Sequence, residues 1–376
     1  MSENMFTKSP NIAFLLGSLS GKGGIERVTS IIGEGLSEKN VAKVHIISFQ
    51  PFQPKKGYSW NDEISYFNLL SERKGMRQGI IEAALNLRKY LSKNKIDILI
   101  VCGHRFCLLG GLSVIGKQTK MIYWSHSSFY GEKNKYKWWN EQFGGFFSKC
   151  VVSLTKADVN NYKNKTLSNN VFQIYNPIDD KLLEDQSVYN PHTNKIISVG
   201  RLNEQKRFDT NLIEVAKIVL HKNPHLEWHI YGDGELRDVI NNKIIENNLV
   251  KRVKLMGNVK GLYNLYNEYS LMVMTSGYEG FPMVLLEGMS KNLPLLSFDI
   301  PTGPNEIIQN NSNGFLIPAF NYSDMAEKIE YLMSSPDILI SFSENNRQYL
   351  QPFRLSNIMG QWCQLLVKYI EDKSKG

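Results

Sequence analysis

Two glutamates, Glu279 and Glu287, are separated by seven intervening residues and flank the start of an expected helix. Glu279 follows the strand-like residues 271–274 and precedes a Gly-Phe-Pro turn. Pro282 suits the first position of a helix, because the N–H that it lacks would have no helical partner there. The N–H groups after it are free to bind an anion. Because Glu287 would lie about two turns further along, a ligand that touches both glutamates must be long, and a nucleotide-sugar has that length.

A basic loop follows the strand-like residues 195–199. Gly200 frees the backbone of this loop, and Arg201 and the run Gln205-Lys206-Arg207 follow within seven positions. Arg201 can bind a diphosphate through a bidentate fork, and Lys206 can bind it as a point charge. A solvated basic loop is the alternative, but a position after the carboxyl end of a strand favours ligand binding.

Four glycines, Gly17, Gly21, Gly23 and Gly24, lie between the first expected strand and the first expected helix. Consecutive glycines let the backbone approach a phosphate or a sugar closely. Their spacing matches neither the Gly-x-Gly-x-x-Gly fingerprint of dinucleotide sites nor the phosphate loop of ATPases, so it disfavours both classes. An ordinary tight turn explains the cluster equally well.

Two other candidate groups follow strand-like segments. His126 comes just after residues 121–124, and a position at a strand end favours a role in a site, although a lone histidine is more often structural. Asn258 and Val259 follow residues 253–255 in a glycine-containing turn, which is also compatible with a plain turn.

The composition indicates a folded protein of two domains. A chain of 376 residues exceeds one ordinary core. The 4 cysteines form no Cys-x-x-Cys pair, which argues against a disulfide scaffold and favours a reducing cytoplasm. Residues 12–16 predict a first strand rather than a signal peptide, since they lack a basic flank and a cleavage site. No apolar run is long enough to span a membrane.

The net charge of +8 is unevenly distributed. Residues 1–188 carry 25 basic and 16 acidic side chains, a net charge of +9, and the remaining 19 and 20 give −1. A basic face attracts nucleic acid or an anionic membrane, unless it is an ordinary lysine-rich surface. Residues 133–147 interleave three lysines with six aromatic side chains, as at a membrane interface. A core helix with one solvated face is the interpretation that we favour for this segment.

Strand-like and helix-like segments alternate along the chain, which predicts an α/β protein with parallel sheets and helices on both faces. One example is an amphipathic helix over residues 78–93, with Ile81, Ala84, Leu85 and Leu91 in its apolar pattern, before a buried strand. We predict two doubly wound, Rossmann-like domains that face a cleft. Ligands of such sheets bind at the carboxyl ends of the strands, so we expect the site in that cleft.

The domain boundary is placed by a break after Asn176-Pro177 and by the polar residues that follow it. We predict a first domain over residues 1–178, a linker over 179–194 and a second domain over 195–350. Residues 351–376 are expected to form a helix that packs back on the first domain.

Taken together, these motifs resemble the retaining family 4 glycosyltransferases of the GT-B fold. The resemblance covers nearly the whole chain, in the family's order and spacing. Its motifs are Gly23-Gly24-Ile25-Glu26-Arg27, His126, Gly200-Arg201-Leu202 with Lys206, Glu279-Gly280-Phe281-Pro282 through Glu287, Asn305-Glu306-Ile307-Ile308 and Asn313-Gly314-Phe315-Leu316. The run from Glu279 to Met283, with Thr302-Gly303-Pro304, is similar to bacterial lipopolysaccharide and capsule hexosyltransferases.

The resemblance implies a first domain that binds the acceptor and a second that binds the nucleotide-sugar. Arg201 and Lys206 would hold the donor diphosphate and stabilise the leaving group. Glu287 would bind the ribose, Glu279 would lie near the donor sugar, and His126 would approach that sugar from the first domain. The remaining implied donor-site residues are Gly23 and Gly24 near the phosphate and acceptor, Asn258 and Val259 near the base, and Gly280, Phe281, Pro282, Met283 and Val284 along the sugar and phosphate.

We therefore expect a retaining enzyme that moves a hexose or N-acetylhexosamine from a UDP-linked donor to a lipid-linked, lipopolysaccharide or capsule glycan. The chain has no Asp-x-Asp motif, so we expect no metal and no cofactor. The expected partners are the donor, a glycan or glycolipid acceptor and an anionic membrane surface, without nucleic acid. The expected location is the cytoplasm, peripherally on the inner face of the plasma membrane. A sugar-nucleotide epimerase of the same fold and a non-catalytic nucleotide-sugar binder stay open as alternatives.

Overall fold

The structure is a computed structural model that describes residues 9–19, 23–51, 61, 63–131, 134–184 and 188–371. The chain divides into two compact units. The first consists of the described residues of Met1–Pro177 and Leu355–Gly376, and the second is Ile178–Arg354. Each unit contains one parallel β-sheet surrounded by helices, which confirms the expected pair of Rossmann-like domains.

The sheet of the first unit has seven strands, all of them parallel. In chain order they are β1 (Asn11–Leu16), β2 (Lys43–Ser48), β3 (Ser65–Asn68), β4 (Ile98–Cys102), β5 (Lys120–Trp124), β6 (Cys150–Ser153) and β7 (Val171–Gln173). Their order across the sheet is β3-β2-β1-β4-β5-β6-β7. The helices before the second unit are α1 (Gly24–Glu38), α2 (Met76–Lys93), α3 (Cys107–Val114), α4 (Lys135–Phe147) and α5 (Lys156–Lys165).

The sheet of the second unit has six parallel strands. They are β8 (Lys195–Val199), β9 (Glu227–Tyr231), β10 (Val253–Gly257), β11 (Leu271–Met274), β12 (Leu295–Asp299) and β13 (Gly314–Pro318), in the order β10-β9-β8-β11-β12-β13. The helices are α6 (Lys181–Glu184), α7 (Ile213–Lys222), α8 (Arg237–Glu246), α9 (Met283–Ser290), α10 (Pro304–Ile307), α11 (Tyr322–Met333) and α12 (Pro336–Tyr349). The last helix, α13 (Leu355–Glu371), belongs to the first unit.

Helix α13 contributes to the interior of the first unit. Its Trp362 is fully buried and meets Trp124, at the end of β5, edge to face with 4.8 Å between the ring centroids. Further along the helix, Lys120 donates a hydrogen bond of 2.7 Å to the carbonyl of Tyr369. Helix α13 therefore packs against β5 of the first sheet.

The segment before β8 is fastened to the second unit. The hydroxyl of Tyr189 donates to the carbonyl of Ser270 at 2.6 Å, and the N–H of Thr193 donates to the Ser270 hydroxyl at 3.1 Å. Residues 185–187, in the stretch expected to be a linker, lie outside the described residues.

Helix α2 buries part of the stripe that was expected, since Leu91 is buried and Ala84 packs against the core, but Leu85 is exposed. Gly79, Ala83, Leu87 and Leu91, each four positions apart, face the core. Ile81 is 75% exposed, and the expectation that it belongs to the packing face is wrong. The sequence of α2 contains two apolar stripes, and the absence of a side chain on Gly79 lets the helix pack closely on Leu70, where a Cβ would lie 2.8 Å from the Leu70 side chain.

Helix α4 exposes much of its aromatic set. Tyr136, Trp138, Trp139 and Phe146 are exposed, whereas Phe143 and Phe147 are half-buried against the core. Lys133, from the same sequence segment, lies outside the described residues. The interpretation of α4 as an ordinary core helix is therefore correct for its inner face but does not account for its outer one.

Candidate active site

The carboxyl ends of β8 and β11 bring the basic loop beside Glu279. The two strands are parallel neighbours, and Leu271 pairs with Ile196. From β8 the sheet continues to β9 on one side, and from β11 it continues to β12 on the other. This reversal of strand order is the place where doubly wound sheets bind ligands.

Glu279 is the centre of a buried polar cluster. Its Oε1 accepts from the Lys206 ammonium at 2.6 Å and from the Ser276 hydroxyl at 2.7 Å. Its Oε2 accepts from the side-chain amide of Gln205 at 3.0 Å. The Lys206 side chain is 14% exposed and that of Glu279 is 7% exposed, so water screens this ion pair little. Three donors hold the carboxylate in one orientation.

The turn after Glu279 is held by the loop that follows β12. The Thr302 hydroxyl donates to the Glu279 carbonyl at 2.5 Å. Gly303 has φ of +103°, and a Cβ there would lie 2.6 Å from Cδ of Pro282, so only glycine fits. Sequence reasoning quoted Gln205 only as a member of the basic loop, quoted Thr302 and Gly303 only as part of the family resemblance, and missed Ser276.

Helix α9 begins at Met283, with Pro282 as its N-cap, so Pro282 lies one position earlier than expected. Met283 and Val284 thus take the first two helical positions, whose N–H groups have no acceptor within a helix. Phe281 is buried against Phe353, with 5.8 Å between the ring centroids. This aromatic contact fixes the entry of the chain into α9.

Glu287 lies on the buried face of α9. Its two carboxylate oxygens accept from the hydroxyls of Tyr263 and Tyr266, each at 3.4 Å. Both tyrosines come from the 3₁₀ turn Leu262–Glu268, between β10 and β11. The two tyrosines lie three positions apart in the sequence, a spacing that places them on one side of a 3₁₀ turn, and sequence reasoning missed this pattern.

Arg201 is exposed, and its loop is braced by the loop after β9. The N–H of Gly200 donates to the Tyr231 carbonyl at 2.9 Å. A Cβ on Gly232, whose φ is +133°, would lie 1.9 Å from the Gly200 carbonyl oxygen. The two loops are therefore in backbone contact, and Arg201 projects from a rigid base.

Arg207 has a left-handed backbone, with φ of +50°, and its guanidinium lies 5.6 Å from the ring centroid of Phe320. Its side chain also passes over Gly277, where a Cβ would lie 2.6 Å from Nε. The Arg207 side chain therefore packs against Phe320 and Gly277.

Asn258 and Val259 follow the edge strand β10 and are both exposed. Strands β9 and β8 lie between β10 and β11. Because neighbouring strands are about 4.8 Å apart, the edge from β10 to β11 spans about 14 Å. An extended ligand along this edge could reach the Asn258 turn, Arg201 and Glu279 together.

His126 follows β5 in the first unit. Its ring packs on Trp124, with 4.3 Å between the ring centroids, and its buried Nε2 has no hydrogen-bond partner among the described residues. Burial lowers the pKa of His126 to about 3. The imidazole is therefore neutral near pH 7 and could accept or donate one hydrogen bond to a ligand.

His104, which sequence reasoning missed, follows the neighbouring strand β4. Its Nδ1 lies 3.4 Å from the hydroxyl of Ser127, in the loop that carries His126. Burial lowers its pKa to about 4, with help from the charges of Lys137 and Arg105. Its signal in the sequence was the same as that of His126, a histidine directly after a buried strand.

Comparison with known proteins decides the class of the chain. A TarM variant of Staphylococcus aureus, crystallised with fondaparinux, alpha-GlcNAc-glycerol and UDP, superposes with a TM-score of 0.80 at 17% identity, over 95% of this chain and 99% of that one. The family "Glycosyl transferases group 1" matches residues 179–349, and "Glycosyltransferase Family 4" matches residues 22–182. The chain is a GT-B glycosyltransferase.

Two curated relatives resemble the glycosyltransferase over most of its length. A poly(ribitol-phosphate) alpha-N-acetylglucosaminyltransferase of Staphylococcus aureus is 27% identical over 85% of this chain and 66% of its own. An alpha-1,4-N-acetyl-D-galactosaminyltransferase of Campylobacter jejuni, named for a diNAcBac-PP-undecaprenol glycan, is 24% identical over 95% of this chain and 98% of its own.

The glycine cluster of the glycosyltransferase begins helix α1, with Gly23 as the N-cap. A Cβ on Gly24 would have no atom within 4 Å, and one on Gly23 would meet only the flexible Glu26 carboxylate. Neither residue has a positive φ. The fold therefore does not require glycine at these positions, which leaves room for a ligand. Gly21 lies outside the described residues.

The described residues of the glycosyltransferase contain no cluster of three or more His, Cys, Asp or Glu side chains that could hold a metal ion. No helix among them is long and apolar enough to cross a membrane. At the β8–β11 edge, the loop after β8 carries three cations, Arg201, Lys206 and Arg207.

Proposed function

We propose that the glycosyltransferase moves a hexose or N-acetylhexosamine from a UDP-linked donor to a lipid-linked, lipopolysaccharide or capsule glycan, with retention of configuration. The Lys206–Glu279 cluster at the β8–β11 edge carries this proposal. It supplies a fixed cation beside a helix start, at the position where such sheets bind nucleotides. The UDP bound to the TarM variant supports the choice of nucleotide.

Arg201 and Lys206 would stabilise the diphosphate that leaves when the glycosidic C–O bond breaks. Negative charge grows on that diphosphate in the transition state, so fixed cations lower the barrier more than they tighten substrate binding. Lys206 shares its charge with Glu279 before any ligand arrives. The ion pair thus sets the place of the ammonium in advance, and the diphosphate would join it as a second acceptor.

Glu279, in this proposal, positions Lys206 and the donor sugar and does not attack the sugar. Both of its oxygens already accept hydrogen bonds, and Oε1 accepts two. The attacking hydroxyl would approach the same face that the phosphate leaves, and a phosphate oxygen would take its proton. This route differs from retaining glycosidases, in which a second carboxylate about 5 Å away acts as nucleophile.

Glu287 and the Asn258 turn would hold the nucleoside. The two tyrosine hydroxyls orient the Glu287 carboxylate, which suits it to accept hydrogen bonds from a ribose. Gly280, Phe281, Met283 and Val284 would line the sugar and phosphate through their backbone. No metal enters this proposal, because the two cations would supply the positive charge that a metal provides elsewhere.

The acceptor class is supported by the relatives. The Campylobacter enzyme is named for a glycan on undecaprenol diphosphate, and the Staphylococcus enzyme for poly(ribitol-phosphate). An acceptor on a lipid would place the enzyme at the inner face of the plasma membrane as a peripheral protein. The net charge of +9 over residues 1–188 suits that location.

A donor panel tests the proposal. The protein is incubated with UDP-hexoses and UDP-N-acetylhexosamines, with and without lipid-diphosphate glycans, and the products are identified by mass spectrometry. We expect one added sugar on an acceptor, an alpha linkage from an alpha donor, and activity after chelation of metal ions. Conversion of the donor to an epimer without acceptor, or no change with any donor, would contradict the proposal.

A further inference from the structure

The adjoining helices α2, α3 and α4 each expose large apolar side chains, and we call these side chains together the α2–α4 face. It consists of Ile81, Leu85, Leu112, Trp138, Trp139 and Phe146. Helix α3 contacts both α2 and α4. Arg77 of α2 also reaches α4 directly, donating to the Tyr136 hydroxyl and lying over its ring. The six side chains therefore belong to adjoining helices of one unit.

The α2–α4 face exposes more large apolar side chains than packing requires. Trp139 is 55% and Phe146 is 65% exposed, although the core lies directly beneath them. The rings of Trp138, Trp139 and Phe143 follow one another at centroid distances of 4.9 and 6.2 Å, so the exposed indoles are continuous with the packed interior. Groups of exposed aromatic and aliphatic side chains on a soluble domain indicate a binding surface.

The accessible charges carried by these three helices are mostly positive. Within α2, α3 and α4, all of whose residues the structure describes, the only solvent-accessible carboxylate is Glu82, which pairs with Lys74 at 2.9 Å. Glu141 is buried in α4, as is Lys137. The accessible cations of the same helices are Arg77, Arg88, Lys89, Lys93 and Lys135.

We propose that the α2–α4 face docks on an anionic phospholipid bilayer. Indole rings prefer the headgroup region, the aliphatic side chains can enter the acyl boundary, and the surrounding cations pair with anionic headgroups. A second copy of the chain is a less suitable partner for this face, because pairing two such faces would place the five cations of one copy against the same five of the other. The proposal rests on the proposed function in one respect, an acceptor that is carried by a lipid.

The arrangement has a consequence for the site. Helix α4 supports the loop that carries His126, since Lys137 donates to the Ser128 carbonyl and Glu141 accepts from the Tyr162 hydroxyl at 2.6 Å. Tyr162 in turn lies 2.7 Å from the Ser125 hydroxyl. A bilayer on the outer side of α4 would thus be one helix thickness, about 10 Å, from the His126 loop. A lipid-borne acceptor then needs to leave the headgroup layer only slightly.

Vesicle co-sedimentation of the full chain, without donor or acceptor, tests the docking surface. Phosphatidylcholine vesicles with and without phosphatidylglycerol are compared. We expect binding to the anionic vesicles that falls at least about 10-fold in Trp139→Ser/Phe146→Ser and in Lys89→Glu/Lys135→Glu. The matched control, Ile245→Ser/Val250→Ser, removes two equally exposed apolar side chains from the second unit and should change binding less than about twofold.

Several results would overturn the inference. The first is that the protein does not bind anionic vesicles. The second is that the control variant loses as much vesicle binding as Trp139→Ser/Phe146→Ser does. The third is that sedimentation velocity without lipid shows a dimer, which Trp139→Ser/Phe146→Ser converts to monomers. Circular dichroism and thermal unfolding show whether each variant is folded, and the charge variant leaves the apolar surface intact. If the protein does not bind vesicles, it should still transfer sugar to an acceptor dispersed in detergent, so only the docking inference would be wrong. If the protein binds vesicles but transfers no sugar, only the proposed function would be wrong.

Discussion

Replacing Lys206 by methionine removes the cation that balances Glu279 while keeping most of the side chain's volume. The carboxylate would keep its hydrogen bonds from Ser276 and Gln205 but lose the charge at 2.6 Å. An unbalanced carboxylate that is 93% shielded from water is costly, so the second unit should lose stability even where no ligand is present.

The size of the loss follows from burial. Breaking a buried ion pair by removing one partner lowers the free energy of unfolding by about 3–5 kcal/mol. Because Ser276 and Gln205 would still donate to Glu279, we expect a loss at the lower end of this range, about 3 kcal/mol. In a double-mutant cycle with Glu279→Gln, we expect a coupling energy of about 2 kcal/mol. The exposed pair Lys217–Glu214, with 3.2 Å between its charges, is the matched control and should couple by less than about 0.5 kcal/mol.

Hydrogen exchange of the β11 and α9 peptides measures these energies, because it reports local opening without assuming that both units unfold together. The turnover of the same variants separates the roles of the two residues. Lys206→Met should lower kcat by about 10²–10³, whereas Glu279→Gln should lower it by less than about 10², since a positioning amide can still accept hydrogen bonds. A coupling energy near zero, or loss of all activity in Glu279→Gln alone, would refute the positioning role.

Three further predictions concern the loops around the two sheets. Arg201→Ala should lower kcat by about 10²-fold with little change in thermal stability, because its side chain is exposed, and a steady-state assay on a folded variant checks this. His126 has a pKa of about 3 in the folded chain and about 6.5 when unfolded, so its contribution to stability is present above pH 6.5 and is lost as the pH falls toward 3. The stability difference between the wild type and His126→Gln should therefore fall by about 2–3 kcal/mol from pH 6.5 to 4.5, and an unchanged difference would contradict it. Gly232→Ala should destabilise the second unit by more than about 2 kcal/mol, since its Cβ would collide with a backbone carbonyl, whereas Gly24→Ala should leave stability unchanged and lower only turnover.

The general position of the site could be predicted from the sequence because parallel strands end at a common edge. Arg201, Lys206 and Glu279 each follow a strand-like segment, so their proximity requires only that β8 and β11 be neighbours. Local sequence patterns do not reveal that these two strands are neighbours, because two other strands, β9 and β10, lie between them along the chain. The direct pairing of Lys206 with Glu279 was therefore beyond prediction, as were its partners Gln205 and Ser276.

The packing faces of helices were harder to predict than their existence. Helix α2 was expected over residues 78–93 and is found at Met76–Lys93, yet Ile81 faces water. Periodicity identifies an apolar stripe but cannot choose between two, and the stripe that is buried runs through Gly79, Ala83, Leu87 and Leu91. In α4 the aromatic side chains exceed what the core can cover, so Trp139 and Phe146 remain outside.

The central claim is that the carboxyl edge of the second sheet binds the diphosphate of a nucleotide-sugar through Arg201 and Lys206. Calorimetric titration of UDP into the wild type and into Arg201→Ala/Lys206→Ala, with chelator present, tests it most directly. We predict saturable binding to the wild type that weakens by at least about 30-fold in the double variant, as expected when two charge-assisted contacts are lost. No binding of UDP to the wild type, or equal affinity in the folded double variant, would contradict the claim.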